Sequence, residues 1–360
     1  MSRILLHTAR TWGRDLFGDQ TNKHIVIFDS DDWGLVRNSK EAIESLSKDG
    51  LLSHADWFEK LDGLESADDL QLLSSLLHCF SDEYNNPPVF SLNFVLNNPY
   101  VIGTDSNYRI AFVKTRDVYS QRSECADILK KIQNDKAFQP QFHSWSHLDV
   151  KTYLLDLQTG NSDSRLFLKH GAIGCSSKEL RPFGYMDEMR SFPYPKSMEA
   201  YLNAGDKEFF KYFGFHSISF VPSCLVVSPE IQKITPPPFL KIIKTGFYTY
   251  WPENEMYKKH FSPLRKSKNG LLFIPRNCDF EPYWMNDPIN YCLSDISMAF
   301  LQKKPAVIST HRLNYTSRIP GNKRNENLDK LFLLLKKIKE KFPDVIFANW
   351  NQIESMLLLD

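Results

Sequence analysis

Three aspartates in four positions, Asp29, Asp31 and Asp32, close the segment HIVIFDSDDWG at residues 24–34. So much negative charge at one point is unfavourable unless a cation sits among the carboxylates. A bound divalent ion would supply one; an acidic loop leading into a helix cap is the plainer reading. Further along, His143-Ser144-Trp145-Ser146-His147 sets two histidines four apart. On a helical turn that spacing points both imidazoles the same way and lets them share a metal. His311, in AVISTHRLNY, is the third candidate, although a lone histidine at a strand end also serves as a hydrogen-bonded structural residue. One aspartate with two histidines forms a facial set that holds a divalent ion and leaves positions open for water and substrate.

The elements around these residues decide whether they can meet. Ile25, Val26, Ile27 and Phe28 run directly into the acids, the pattern of a strand buried on both faces. QPQFHSWSH (139–147) and AVISTHR (306–312) end in polar groups in the same way. Further strands are predicted at 89–96, 217–223, 240–247, 271–277 and 345–350, with helices at 39–49, 67–80, 121–134, 196–212, 288–302 and 324–341. Strands alternating with helices favour a parallel barrel, whose strands present catalytic groups at their C-terminal ends. All three candidate clusters would then open on one rim. Uneven spacing between strands makes the expected fold an α/β, distorted or incomplete (β/α)7–8 barrel. We expect an N-terminal helix over 1–22 and a single barrel over 23–360, with insertions at about 51–86, 151–195 and 248–270. Asp68 and Asp69 follow Ser66 at a helix start, where capping accounts for them.

With a formal net charge of +1 over 360 residues, nothing in the global electrostatics argues for nucleic acid. Six dispersed cysteines without a C-x-x-C pair read as reduced thiols. The N-terminal residues lack the apolar core and cleavage site of a secretory signal, and no run is long and apolar enough to span a membrane. A cytoplasmic location is therefore expected. Leu5, Ala9, Trp12 and Leu16 recur at helical spacing near Arg3, Arg10 and Arg14, a packing helix or, as the alternative, a membrane-surface one. Lysines and aromatics mix over 241–268 (Lys241, Lys244, Tyr248, Trp251 and Lys258 among them). A solvated loop is the plain reading, and a surface for an anionic sugar the functional one.

An aspartate pair after the first strand, H-S-x-x-H after a later one and a histidine ending a late strand resemble the polysaccharide deacetylase superfamily, the NodB-homology type of carbohydrate esterase family 4. F-D-S-D-D-W-G departs from the usual T-F-D-D-G and is closer to the D-D-F-G form of the chitooligosaccharide deacetylases. R-x-P-Y has no clean match and D-x-x-D-W is absent. The resemblance implies Asp31 as catalytic base, with Asp29 as competitor, and Asp32, His143 and His147 as metal ligands. His311 would be the general acid. It implies a divalent metal, zinc first with Mg, Mn, Co or Ni as alternatives, and a carbohydrate substrate losing acetyl groups. Arg37, Arg181, Arg276 and Arg312 are all eligible to orient the base. Trp33, Trp145, Arg276, Asn277 and Arg312 are the expected substrate contacts. Two alternatives stand beside this reading: a non-catalytic glycan-binding barrel, and a glycoside hydrolase pairing Asp29 or Asp31 with Asp279 or Glu281.

Overall fold

A computed structural model describes residues 18–54, 57–104, 107–160, 162–174, 183–253 and 256–358. The helix expected over 1–22 falls outside the described residues up to position 17, as do Cys175 and Arg181. Residues 18 and 20 form isolated bridges, Gly18 to Leu264 and Gln20 to Leu358.

In chain order the strands are β1 (Ile25–Trp33), β2 (Phe90–Val95), β3 (Asn97–Ile102), β4 (Arg109–Lys114), β5 (Phe138–Ser144), β6 (Ser219–Phe220) and β7 (Ile242–Thr245). They continue with β8 (Tyr248–Glu253), β9 (Met256–Phe261), β10 (Arg265–Lys266), β11 (Leu272–Pro275), β12 (Cys278–Asp279), β13 (Ala306–His311) and β14 (Ile346–Phe347). The main sheet runs β10-β11-β7-β6-β5-β2-β1-β13-β12, with β14 added beside the start of β1. All its pairings are parallel except β10 with β11. Leaving out β10 and β14, neighbours around the sheet are neighbours in the chain, as in a barrel.

The ends of that path meet in one bent segment. Residues 272–275 pair with β7 and residues 278–279 with β13. Between them the Arg276 N–H donates to the Thr245 carbonyl (2.6 Å) and the Asn277 N–H to that of Val307 (3.1 Å). The sheet therefore curls into a distorted barrel in which a strand without a crossover helix links both sides.

β1 shows why its apolar run is continuous. Ile25 and Ile27 join Ile242, Leu272, Ile274, Val307 and Trp350 in one cluster inside the curl. Val26 and Phe28 join Phe90, Leu92, Ile308 and the helix residues Leu70, Ile296 and Leu331 in the outer layer. Both faces are buried, so neither can be polar. Asp29 and Asp31 continue the inward alternation.

The helices begin where local chemistry places them. Ser39 caps Lys40–Lys48, and Ser66 with Asp69 forms a capping box on Ala67–Leu77. The helix expected over 121–134 is Cys125–Asn134, and a separate helix, Thr115–Ser120, precedes it. The insertion expected over 151–195 opens with two helices, Val150–Thr159, capped by Asp149 and ended by a left-handed Gly160, and Ser162–Lys169. Among the described residues no helix is long and apolar enough to cross a membrane.

Candidate metal centre

Strict alternation would turn Asp32 outward, with Ser30 and Phe28. A register shift prevents this: Ser30 pairs with Leu92 but Trp33 with Phe94, so β1 carries one extra residue. Such a bulge re-aims side chains at the end of a ladder. Asp32 takes a left-handed backbone, φ 76°, and joins the inner rim while Trp33 rotates into the outer core. β5 repeats the device, since Phe142 pairs with Phe94 but Ser144 with Val95, leaving His143 as the extra residue.

His147 arrives differently from the helical turn its spacing suggested. Residues 145–148 are not helical, and His147 has φ 57°. The buried carboxylate of Glu188 organises this turn. It accepts from the backbone N–H groups of Trp145 (3.1 Å), Ser146 (2.9 Å) and His147 (3.2 Å), from Ser146 Oγ (2.8 Å) and from the Tyr201 hydroxyl (2.9 Å). A non-glycine residue in the left-handed region costs energy and persists where its surroundings impose it; here Glu188 does so. The two imidazole centroids lie 4.8 Å apart.

Asp32, His143 and His147 each bring one ligand atom into a buried group whose atoms all lie within 4.8 Å of one another. Asp32 Oδ1 is 3.5 Å from His143 Nε2 and 3.4 Å from His147 Nε2. Tetrahedral coordination at bond lengths near 2.1 Å sets ligand atoms about 3.4 Å apart. His143 Nδ1 donates to the Val221 carbonyl (2.9 Å), so in the neutral ring Nε2 carries a lone pair toward Asp32. Asp32 Oδ1 has no hydrogen-bond partner. Burial holds His147 neutral, lowering its pKa to about 3 against the opposing pull of Asp32. A buried carboxylate oxygen without a hydrogen-bond partner thus faces two imidazole nitrogens across a gap suited to a cation, and these residues could hold a metal. The other oxygen of Asp32 accepts from Arg37 (3.0 Å), which also donates to Asp62 (3.3 Å).

Beside this trio, Asp31 accepts from Asn93 Nδ2 (2.8 Å) and Arg276 (2.5 Å). Burial alone would raise its pKa, but Arg276, His143 and His311 outweigh that and hold it well below the usual carboxylate range. Asp29 lies deeper, accepting from Lys244 (2.8 Å) and from the Trp350 indole (3.1 Å). Lys244 also donates to Asn93. His311 is the register partner of Asp31 on β13, and its Nδ1 bonds Glu281 at 2.6 Å. Burial opposes protonation there, but Glu281, Asp32 and Asp31 prevail and raise the pKa to about 9. Phe58 and Trp284 flank the ring at 4.8 and 6.1 Å.

Several expected substrate contacts are overturned. Trp33 is enclosed in the core with its Nε1 donating to Ser30. Arg312 is fully buried and spends its guanidinium on Asp62, Glu65 and the Leu35 carbonyl. Asn277 bonds the Pro305 carbonyl and the Val307 N–H, pinning the bent segment to β13. Arg276 is committed to Asp31, which singles it out among the described arginines as the partner of that carboxylate. Trp145 is half-buried against the core. Lys244, grouped by sequence with a solvated loop, is completely buried; a lysine inside an apolar strand was the available signal, as was Asn93 in VFSLNFVL. Glu188 had none.

No family model and no curated protein matches this sequence. Among solved structures, a candidate polysaccharide deacetylase from Mycobacterium smegmatis aligns over 94% of this chain and 92% of its own, at 12% identity and TM-score 0.44. A 4-alpha-glucanotransferase from Thermococcus litoralis aligns over 94% of this chain and 40% of its own, at 8% identity and TM-score 0.46.

Proposed function

We propose that the chain is a metal-dependent hydrolase that removes acetyl groups from a carbohydrate amide or ester. The observation that carries this is the buried convergence of Asp32 Oδ1, His143 Nε2 and His147 Nε2, with a carboxylate and an imidazolium as register partners alongside. Asp32, His143 and His147 would hold the divalent ion, zinc before Mg, Mn, Co or Ni. When bound, that ion lowers the pKa of a coordinated water and polarises the acyl carbonyl.

Asp31, ionised at neutral pH, takes the proton of the attacking water, and Asn93 and Arg276 fix its two oxygens for that task. His311, protonated to about pH 9, gives a proton to the departing nitrogen or oxygen. Trp284, 37% exposed, offers an aromatic face where a sugar ring would lie against the leaving side. Asp29, held by Lys244 and Trp350, is a buried counter-ion rather than the base.

The test is metal analysis of the purified chain together with acetate release from N-acetylated chitooligosaccharides and O-acetylated xylooligosaccharides. His147→Ala should lose metal and turnover together. Full metal content in that variant would remove the ligand set from the argument. Stoichiometric metal with no acetate released would favour a binding protein.

A further inference from the structure

A cavity of about 310 Å³ adjoins the metal centre. Its walls come from the turn after β1 (Leu35, Val36), the β3–β4 hairpin (Pro99, Val113), and Leu148 and Met186. The metal centre enters this wall twice, through His147 and through Arg37, the partner of Asp32. Asp31, Arg276, Glu281, Trp284 and His311 take no part in the lining. Three polar groups in the wall are already committed. Asn98 accepts from the Val36 N–H (2.6 Å) and donates to the Gly34 carbonyl and Thr115 (both 3.0 Å). Asn38 Oδ1 accepts from the Ile173 N–H (3.0 Å), and Ser146 Oγ donates to Glu188 (2.8 Å). Beside Glu59, Gln121 and Tyr100, what the wall offers a ligand is mainly apolar surface.

The position of the cavity selects its occupant. A scissile carbonyl carries two substituents. The leaving group must reach His311, which takes no part in the lining, and this leaves the acyl substituent to the side of His147, which does. The methyl of an acetyl group, comparable in volume to one water at about 30 Å³, would fill roughly a tenth of the space. Resting on the hydrolase reading above, we propose that this cleft receives the acyl chain of the substrate. The same site would then take, beside acetyl and in preference to it, a straight alkanoyl group of about six to eight carbons on the sugar. In the reaction the carbonyl–nitrogen or carbonyl–oxygen bond breaks and water supplies the new carbon–oxygen bond. The chain leaves as a fatty carboxylate, and the sugar amine or hydroxyl keeps the proton from His311.

The zinc-loaded full chain is assayed with N-acylglucosamines and 4-nitrophenyl alkanoates from two to twelve carbons. We expect kcat/KM to rise about fourfold per methylene and to level off near eight carbons. Filling the cleft with Val113→Phe, or with Val118→Trp should that variant fold better, should lower the eight-to-two-carbon ratio of kcat/KM at least tenfold. Octanoate binding by calorimetry gives a readout independent of turnover, with acetate as control. Acetyl substrates preferred over every longer chain, with no octanoate bound, would overturn the acyl cleft and leave the deacetylase standing. No hydrolysis at any length would overturn the hydrolase reading; octanoate bound by the wild type and lost in the Val113 variant would still support the cleft, and its absence would end both.

Discussion

Replacing Glu281 by Gln isolates the group that keeps His311 charged. The Glu281 carboxylate lies 2.6 Å from His311 Nδ1, and with Asp32 and Asp31 it overcomes burial to lift the imidazole from 6.5 to about 9. An amide at 281 preserves the shape and the bond to Asn314 but removes the charge. The His311 pKa should then fall to its ordinary value or below. At pH 8 the protonated fraction drops from about 0.9 to about 0.03, a loss of roughly 30-fold in acid-dependent turnover. At pH 6 both forms remain mostly protonated, at about 0.999 against about 0.8, and turnover hardly changes. The sign for folding follows the same shift. A value raised in the folded chain stabilises it fully below about 6.5, and that contribution disappears as pH rises through about 9. An NMR titration of the His311 ring in the metal-free chain reads the shift directly, and kcat/KM from pH 5 to 10 reads its consequence. A His311 pKa unchanged in Glu281→Gln, or an equal loss of activity at pH 6 and pH 8, would refute the reasoning.

Three other outcomes follow from the same geometry. Asp31→Asn should keep its metal and lose about 10²–10⁴ in kcat, whereas the same pattern in Asp29→Asn would move the base to that residue; metal content and kcat measured side by side decide. Glu188→Gln should weaken metal binding about 10- to 100-fold, read by competition with a chromophoric chelator, because its carboxylate shapes the turn that delivers His147. Lys244→Met should destabilise the chain by about 3–5 kcal/mol in urea unfolding, since Asp29 would be left buried without its ammonium; a change under 1 kcal/mol would show that the pair is not closed to water.

The unbroken run of apolar residues told where β1 lies and that both its faces are covered, because a strand inside a barrel has no solvent side to encode. The same reading placed Asp31, His143 and His311 at strand ends, and parallel topology then requires those ends to share a rim. Capping was legible too: Ser66 and Asp69 act within three residues of each other, a range over which sequence distance is spatial distance.

What sequence could not supply is where the alternation breaks. One extra residue in β1 and one in β5 decide that Asp32 and His143 face the rim and that Trp33 faces the core, and a bulge is a property of two paired strands rather than of either alone. The pairings of Asp29 with Lys244, of His147 with Glu188 through its backbone, and of His311 with Glu281 span 215, 41 and 30 positions. The order of residues determined which groups were available for chemistry. Only the curled sheet decided which would be buried together, because the energy of a charge depends on the neighbours that folding brings to it.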